Sequence, residues 1–96
     1  MEKEKYSILV VEDEPDIAQL IEFNLKNEGY NVILASNGEK GIELARKKTP
    51  SLILLDLMLP GIHGIDVCRI LNNDNDTNDI SIIILTALGQ EEDIIK

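Results

Sequence analysis

Three apolar runs in this 96-residue chain each lead into residues that can do chemistry. ILVV closes at Val11 and is followed by Glu12, Asp13 and Glu14. SLILL closes at Leu55 and is followed by Asp56, and SIIIL closes at Leu85 and is followed by Thr86. Carboxylates gathered in one crevice repel one another, which raises their pKa values unless a cation neutralises them. Magnesium suits such a site: it takes oxygen ligands, keeps several waters and typically uses one or two carboxylates with a phosphate oxygen. On this reading Asp13 and Asp56 bind the ion directly, Glu12 holds one of its waters, and the backbone carbonyl of Met58 faces the same space. Asp56 is then a nucleophile that forms an acyl phosphate, with the cation offsetting charge on the attacking oxygen and on the phosphoryl group. The Thr86 hydroxyl is placed to donate to a phosphoryl oxygen. That contact forms only after phosphorylation and so biases a loop between two conformations.

The elements that must bring these residues together alternate between strand and helix signals. Residues 6–11 (YSILVV) read as a strand, and Pro15 suits the first position of the helix that follows. Ile17, Leu20, Ile21 and Leu25 mark the apolar face of that helix, and Glu28-Gly29 ends it. Residues 31–35 (NVILA) form a second strand. Ser36-Asn37-Gly38-Glu39 matches a capping box with Ser36 as N-cap, and the helix it opens runs to about Lys48. Arg46, Lys47 and Lys48 suit the negative end of that helix. Residues 51–55 are a third strand, apolar throughout as a strand covered on both faces must be. A turn over residues 56–61, a helix over 64–71, a polar loop over 72–79 (NNDNDTND) and an apolar strand over 81–85 follow. Residues 90–96 read as the opening turns of another helix. Such alternation predicts a parallel sheet with right-handed crossovers, in which ligands bind beyond the carboxyl ends of the strands. Glu12, Asp13, Asp56 and Thr86 all arrive at that edge.

The composition is that of one soluble globular domain spanning residues 1–96, 44% hydrophobic and 28% charged, with no internal linker or repeat. Nine Lys and Arg against 18 Asp and Glu give a net charge of −9, a field that opposes direct nucleic-acid binding. The single cysteine, Cys68, excludes an intrachain disulfide, gives no zinc pattern and reads as a small hydrophobe of a helix. No signal peptide is present and no run approaches the roughly 20 apolar residues of a membrane span, which favours the cytoplasm. Each site residue also has a plainer explanation. The acids after Val11 suit a helix N-terminus, Asp56 can organise the turn before Pro60-Gly61, and Thr86 can cap a helix. Order and spacing together favour the site.

ILVVEDE, LLDLMLPGIHG and IIILTA, in that order, resemble the three hallmark segments of the receiver domain of bacterial two-component response regulators. The likeness runs the length of the chain. NDTNDISIIILTALGQEED is further similar to receivers that precede a winged-helix DNA-binding domain. The resemblance implies a flavodoxin-like, doubly wound α/β fold. It implies Asp56 as phosphoacceptor, Asp13 and Glu12 as the acidic pair, Thr86 as the switch hydroxyl, and Ala87 as the small residue that leaves room for the phosphoryl group. Pro60 and Gly64 match the turn after the acceptor, whereas His63 stands where Asp is frequent and Ser81 where Pro is frequent. A sensor histidine kinase is the implied phosphodonor. Transcription regulation is the implied output, and the domain promotes its own phosphorylation and dephosphorylation without being an enzyme.

A full receiver continues through a fifth strand, which carries a lysine that pairs with the phosphoryl group, and a last helix. The expectation here is strand order 2-1-3-4 with both missing, since Lys96 comes too early to be that lysine. The apolar edge of the fourth strand would then be open to self-association. Three rivals stand beside this reading. A phosphatase with an Asp nucleophile needs a second Asp two residues later, where this chain has Met58. A calcium loop beginning at Asp74 has Asp79 where Gly is needed and Leu85 where the bidentate Glu belongs. A truncated interaction module or inert fragment, unable to be phosphorylated, is the third.

Overall fold

The computed structural model describes residues 6–59 and 61–85. Its elements are β1 (Ser7–Val11), α1 (Pro15–Asn27), β2 (Asn31–Ala35), α2 (Gly38–Lys48), β3 (Leu52–Asp56), α3 (Gly64–Asn72) and β4 (Ser81–Leu85). The sheet order is β2-β1-β3-β4 and every pairing is parallel, as the alternation of strands and helices predicted. The register places Val11 beside Ala35 and Leu55, and Asp56 beside Leu85. The four strand ends therefore finish within one residue of one another at one edge. Residues 86–96, which carry the expected switch hydroxyl and the start of a further helix, lie outside the described residues.

Local sequence explains most of the element ends, with some displacements. Pro15 opens α1, and Gly29, at φ 96°, takes the left-handed conformation that lets the chain leave it. The N-cap of α2 is Asn37 rather than Ser36: Asn37 is extended and its Oδ1 accepts the Lys40 N–H at 2.8 Å. Glu39 consequently falls one position too early to complete the expected capping box. β3 runs one residue further than the apolar run, so Asp56 is the last residue of the strand rather than the first of the turn.

The core lies between the sheet and the helices α2 and α3, where Leu9, Val11, Ile53 and Leu55 meet Ile42, Ala45, Val67 and Leu71. α1 lies against β1 and β2. Its buried contact is Ala18, whereas Ile17 and Leu20 of the expected apolar face are 46% and 59% exposed. Ile21 and Leu25, the other two residues of that face, are half-buried. Ile83 and Ile84 of β4 are exposed despite the uniformly apolar sequence of that strand. Among the described residues no helix is long and apolar enough to cross a membrane.

The polar segment before β4 is tied down by its own side chains. Thr77 is buried and its hydroxyl donates to the Leu71 carbonyl at 2.7 Å, closing the end of α3. Asp74 Oδ1 accepts the Asp76 N–H at 2.9 Å, and Oδ2 accepts from Arg46 Nε of α2. Those donors, the Asp76 amide first, hold the Asp74 carboxyl below the usual carboxylate range. The residue that would start a calcium loop is thus committed to a structural clamp.

Candidate metal centre

β1 delivers the first two acids. The Glu12 N–H bonds to the Ala35 carbonyl at 3.0 Å, continuing the β1–β2 ladder and fixing where the chain leaves the strand. The Glu12 side chain is buried, and its Oε2 accepts the Glu14 N–H at 3.1 Å. Asp13, one residue on, is exposed at the rim. β3 delivers Asp56, which is buried. Carboxylate oxygens of Glu12, Asp13 and Asp56 all lie within 4.8 Å of one another. Burial pushes the Glu12 carboxyl above its ordinary value, and the neighbouring Asp56 and Asp13 charges push the same way against the Glu14 amide. Among the described residues the ion pairs at the surface involve none of these three acids. The donor set is all oxygen and no described basic side chain pairs with it, an arrangement that suits a hard divalent cation.

The turn after β3 is wound back onto its own carboxylate. Asp56 Oδ1 accepts the Met58 N–H at 3.1 Å, an Asx-type bond that fixes the side-chain rotamer. The Leu57 N–H reaches the Leu85 carbonyl at 3.3 Å, and the Gly64 N–H reaches the Leu57 carbonyl at 3.2 Å. Gly64 is sterically required: a Cβ there would sit 2.5 Å from the Asp56 carbonyl oxygen and 2.7 Å from Leu57 Cα. Gly61 is required for a different reason, its φ of +74°. His63 is the N-cap of α3, exposed and making no side-chain capping bond.

Three of the expected site residues, Glu12, Asp13 and Asp56, are thereby brought together. Met58 follows two residues after Asp56 with its side chain half exposed. Thr86, Ala87 and Pro60 lie outside the described residues. The sequence reading missed the Met58 N–H as the group that holds Asp56. An Asp at a strand end followed by a turn is the available signal, and its turn-organising role is part of the site rather than an alternative to it.

Residues 8–96 match the family model of the response regulator receiver domain. The chain belongs to that family. The DNA-binding dual master transcriptional regulator RpaA of Synechocystis sp. is 47% identical over 89 residues, which are 93% of this chain and 37% of that protein. The chain thus spans little more than a third of a relative that it matches. Among solved structures, the N-terminal domain of a response regulator receiver protein from Methanoculleus marisnigri is 36% identical with a TM-score of 0.83. That match covers 85% of this chain and 67% of the other. The response regulator TrrA of Thermotoga maritima, solved in complex with Mg2+ and BeF, is 34% identical with a TM-score of 0.81, covering 93% of this chain and 76% of that one. Receiver domains are signalling domains, and the flavodoxin-like order 2-1-3-4 seen here is that of the family.

Proposed function

We propose that this receiver takes a phosphoryl group onto Asp56 in a magnesium-dependent reaction, with a sensor histidine kinase as donor and transcription control as the output. The observation that carries the reading is the convergence of Glu12, Asp13 and Asp56 from the carboxyl ends of two adjacent strands. Residues 1–96 act as one receiver unit in this reading, in the cytoplasm, with no direct contact to nucleic acid. Asp13, Asp56 and the Met58 carbonyl hold Mg2+, and Glu12 orients one of its waters. The ion supplies neutralisation of the charge gathered in the transition state. Met58 N–H holds Asp56 Oδ1 and so presents the second carboxylate oxygen to phosphorus. As that O–P bond forms, the P–N bond of the donor phosphohistidine breaks and its electron pair returns to the imidazole. Thr86 then donates to a phosphoryl oxygen. The domain promotes only its own phosphorylation and dephosphorylation.

Among the described residues no strand pairs with the outer side of β4, and Ile83 is 50% exposed, which supports self-association through that strand; sedimentation over a concentration series tests it. For the main reading the experiment is intact mass after incubation with Mg2+ and a small-molecule phosphodonor. One phosphoryl group gained by the wild type, and none by Asp56→Asn or without Mg2+, is expected. No gain in the wild type would leave an interaction module without phosphotransfer.

A further inference from the structure

Two glycines of α2 bring that helix close to both chain segments that carry the acids. A Cβ on Gly41 would lie 2.9 Å from Cγ2 of Val11, the last residue of β1 before Glu12 and Asp13. On Gly38, the first residue of the helix, a Cβ would lie 2.2 Å from Ile62 Cγ2, 2.7 Å from Val67 Cγ2 and 3.3 Å from the Ile62 carbonyl oxygen. The space that a side chain would take at Gly38 is thus filled by the methyl group on Cβ of Ile62. Ile62 belongs to the segment that joins Asp56 to α3.

The ends of that segment are tied by backbone groups. The Leu57 N–H bonds to the Leu85 carbonyl, the Gly64 N–H to the Leu57 carbonyl, and the Met58 N–H to Asp56 Oδ1. Between them side chains do the holding: Leu59 is buried in the core, and half-buried Ile62 packs against that core with its methyl in the notch at Gly38. A side chain without a methyl on Cβ leaves the notch empty, and the segment can then shift towards α2 to close it. Such a shift carries the Met58 peptide, whose N–H holds the Asp56 carboxylate. We propose that Ile62, seated at Gly38, is a positioning residue for phosphoryl transfer, setting Asp56 through the Met58 peptide. The inference rests on the phosphoacceptor reading above. It assigns the role to one methyl group rather than to apolar bulk, so it orders variants in a way that volume does not.

Ile62→Val keeps that methyl and loses one carbon, Ile62→Leu keeps the volume and loses the methyl, and Ile62→Ala loses both. Were volume the only requirement, Ile62→Leu would be the mildest of the three. In 1H–15N spectra of the metal-free chain, the Met58 amide proton should keep its wild-type shift in Ile62→Val and move in Ile62→Leu and Ile62→Ala. With phosphoramidate and saturating Mg2+, followed by intact mass with Asp56→Asn as blank, Ile62→Val should stay within about twofold of the wild-type rate and Ile62→Leu should lose about tenfold. Ile62→Ala deletes the same methyl without adding bulk elsewhere, so its comparison with Ile62→Val decides the matter should Ile62→Leu not fold. A Met58 amide unmoved by loss of the methyl, or equal rates with and without it, would overturn the inference alone. Rates that simply follow the urea midpoints of the variants would also overturn it, by showing a structural role. No phosphorylation of the wild type would overturn it together with the phosphoacceptor reading.

Discussion

Replacing Gly64 by alanine sets a methyl group against atoms that cannot turn aside. Its Cβ would lie 2.5 Å from the Asp56 carbonyl oxygen and 2.7 Å from Leu57 Cα, both backbone, so the turn itself must move. Overpacking costs about 1–3 kcal/mol, and the upper half of that range applies when no rotamer can relieve the contact. Alanine returns about 0.5–1 kcal/mol relative to glycine in a helix, leaving a net loss of about 1–2.5 kcal/mol. With a urea slope of about 1 kcal/mol per molar for so small a domain, the unfolding midpoint should fall by about 1–2.5 M. The same movement displaces Asp56, and misplacement of a reacting group by about 1 Å can cost about a hundredfold in rate. Circular dichroism in urea gives the first quantity, and intact mass after timed exposure to a phosphodonor gives the second. An unchanged midpoint would refute the steric argument. A lowered midpoint with an intact phosphorylation rate would refute the claim that Gly64 positions Asp56.

Mg2+ should raise the thermal midpoint in step with the logarithm of its concentration once that exceeds Kd, an effect lost in Asp13→Asn, since a ligand of the native state stabilises in proportion to the logarithm of its excess over Kd. That stabilisation should shrink as the pH is lowered into the range where Glu12 binds a proton, between its ordinary value and the raised folded one. Glu12 has a folded pKa above its ordinary value, so the metal-free chain loses stability as pH rises through that interval and the cation cancels the loss. Thr77→Val keeps the shape but removes the buried bond to the Leu71 carbonyl, and should cost about 1–2 kcal/mol in urea unfolding. Asp74 has a folded pKa below its ordinary value, so its contribution is complete above about pH 4 and is lost as pH falls through the lower folded value. Asp74→Asn should therefore lower the midpoint at neutral pH, and the gap from wild type should close in acid.

β2 and β4 have the bounds that their apolar runs indicated, because in each case polar or turn-forming residues flank a run with no competing helical period. Pro15 and Gly29 likewise marked the ends of α1 through backbone constraints that belong to those residues alone. What the sequence hid depends on packing. Ser36 and Asn37 are both good caps, and the choice between them is made by where α2 must start to bury Ile42 and Ala45. Ile17 and Leu20 fit the helical period as well as Ala18 does, but period cannot say that Ala18 is the one buried. Asp56, Asp13 and Glu12 were legible as a cluster because strand ends in a parallel sheet share one edge. The Met58 amide was not, because a backbone group has no letter in the sequence.

The all-parallel register has a kinetic consequence. No pairing in this sheet is a hairpin: Ser7 waits for Asn31, Ile8 for Leu52, and Leu52 for Ser81. Each contact closes a long loop whose entropy is spent before any reward arrives, so local segments cannot assemble the sheet piecemeal. The acids of β1 and β3 belong to the pairing with the widest separation in sequence. Asp56 becomes a neighbour of Glu12 and Asp13 only when β1 and β3 pair, so a chain in which those strands have not met holds the third carboxylate apart. Competence for the chemistry at Asp56 is in that sense a proofreading of the fold, granted to a molecule only after its most distant strands have met.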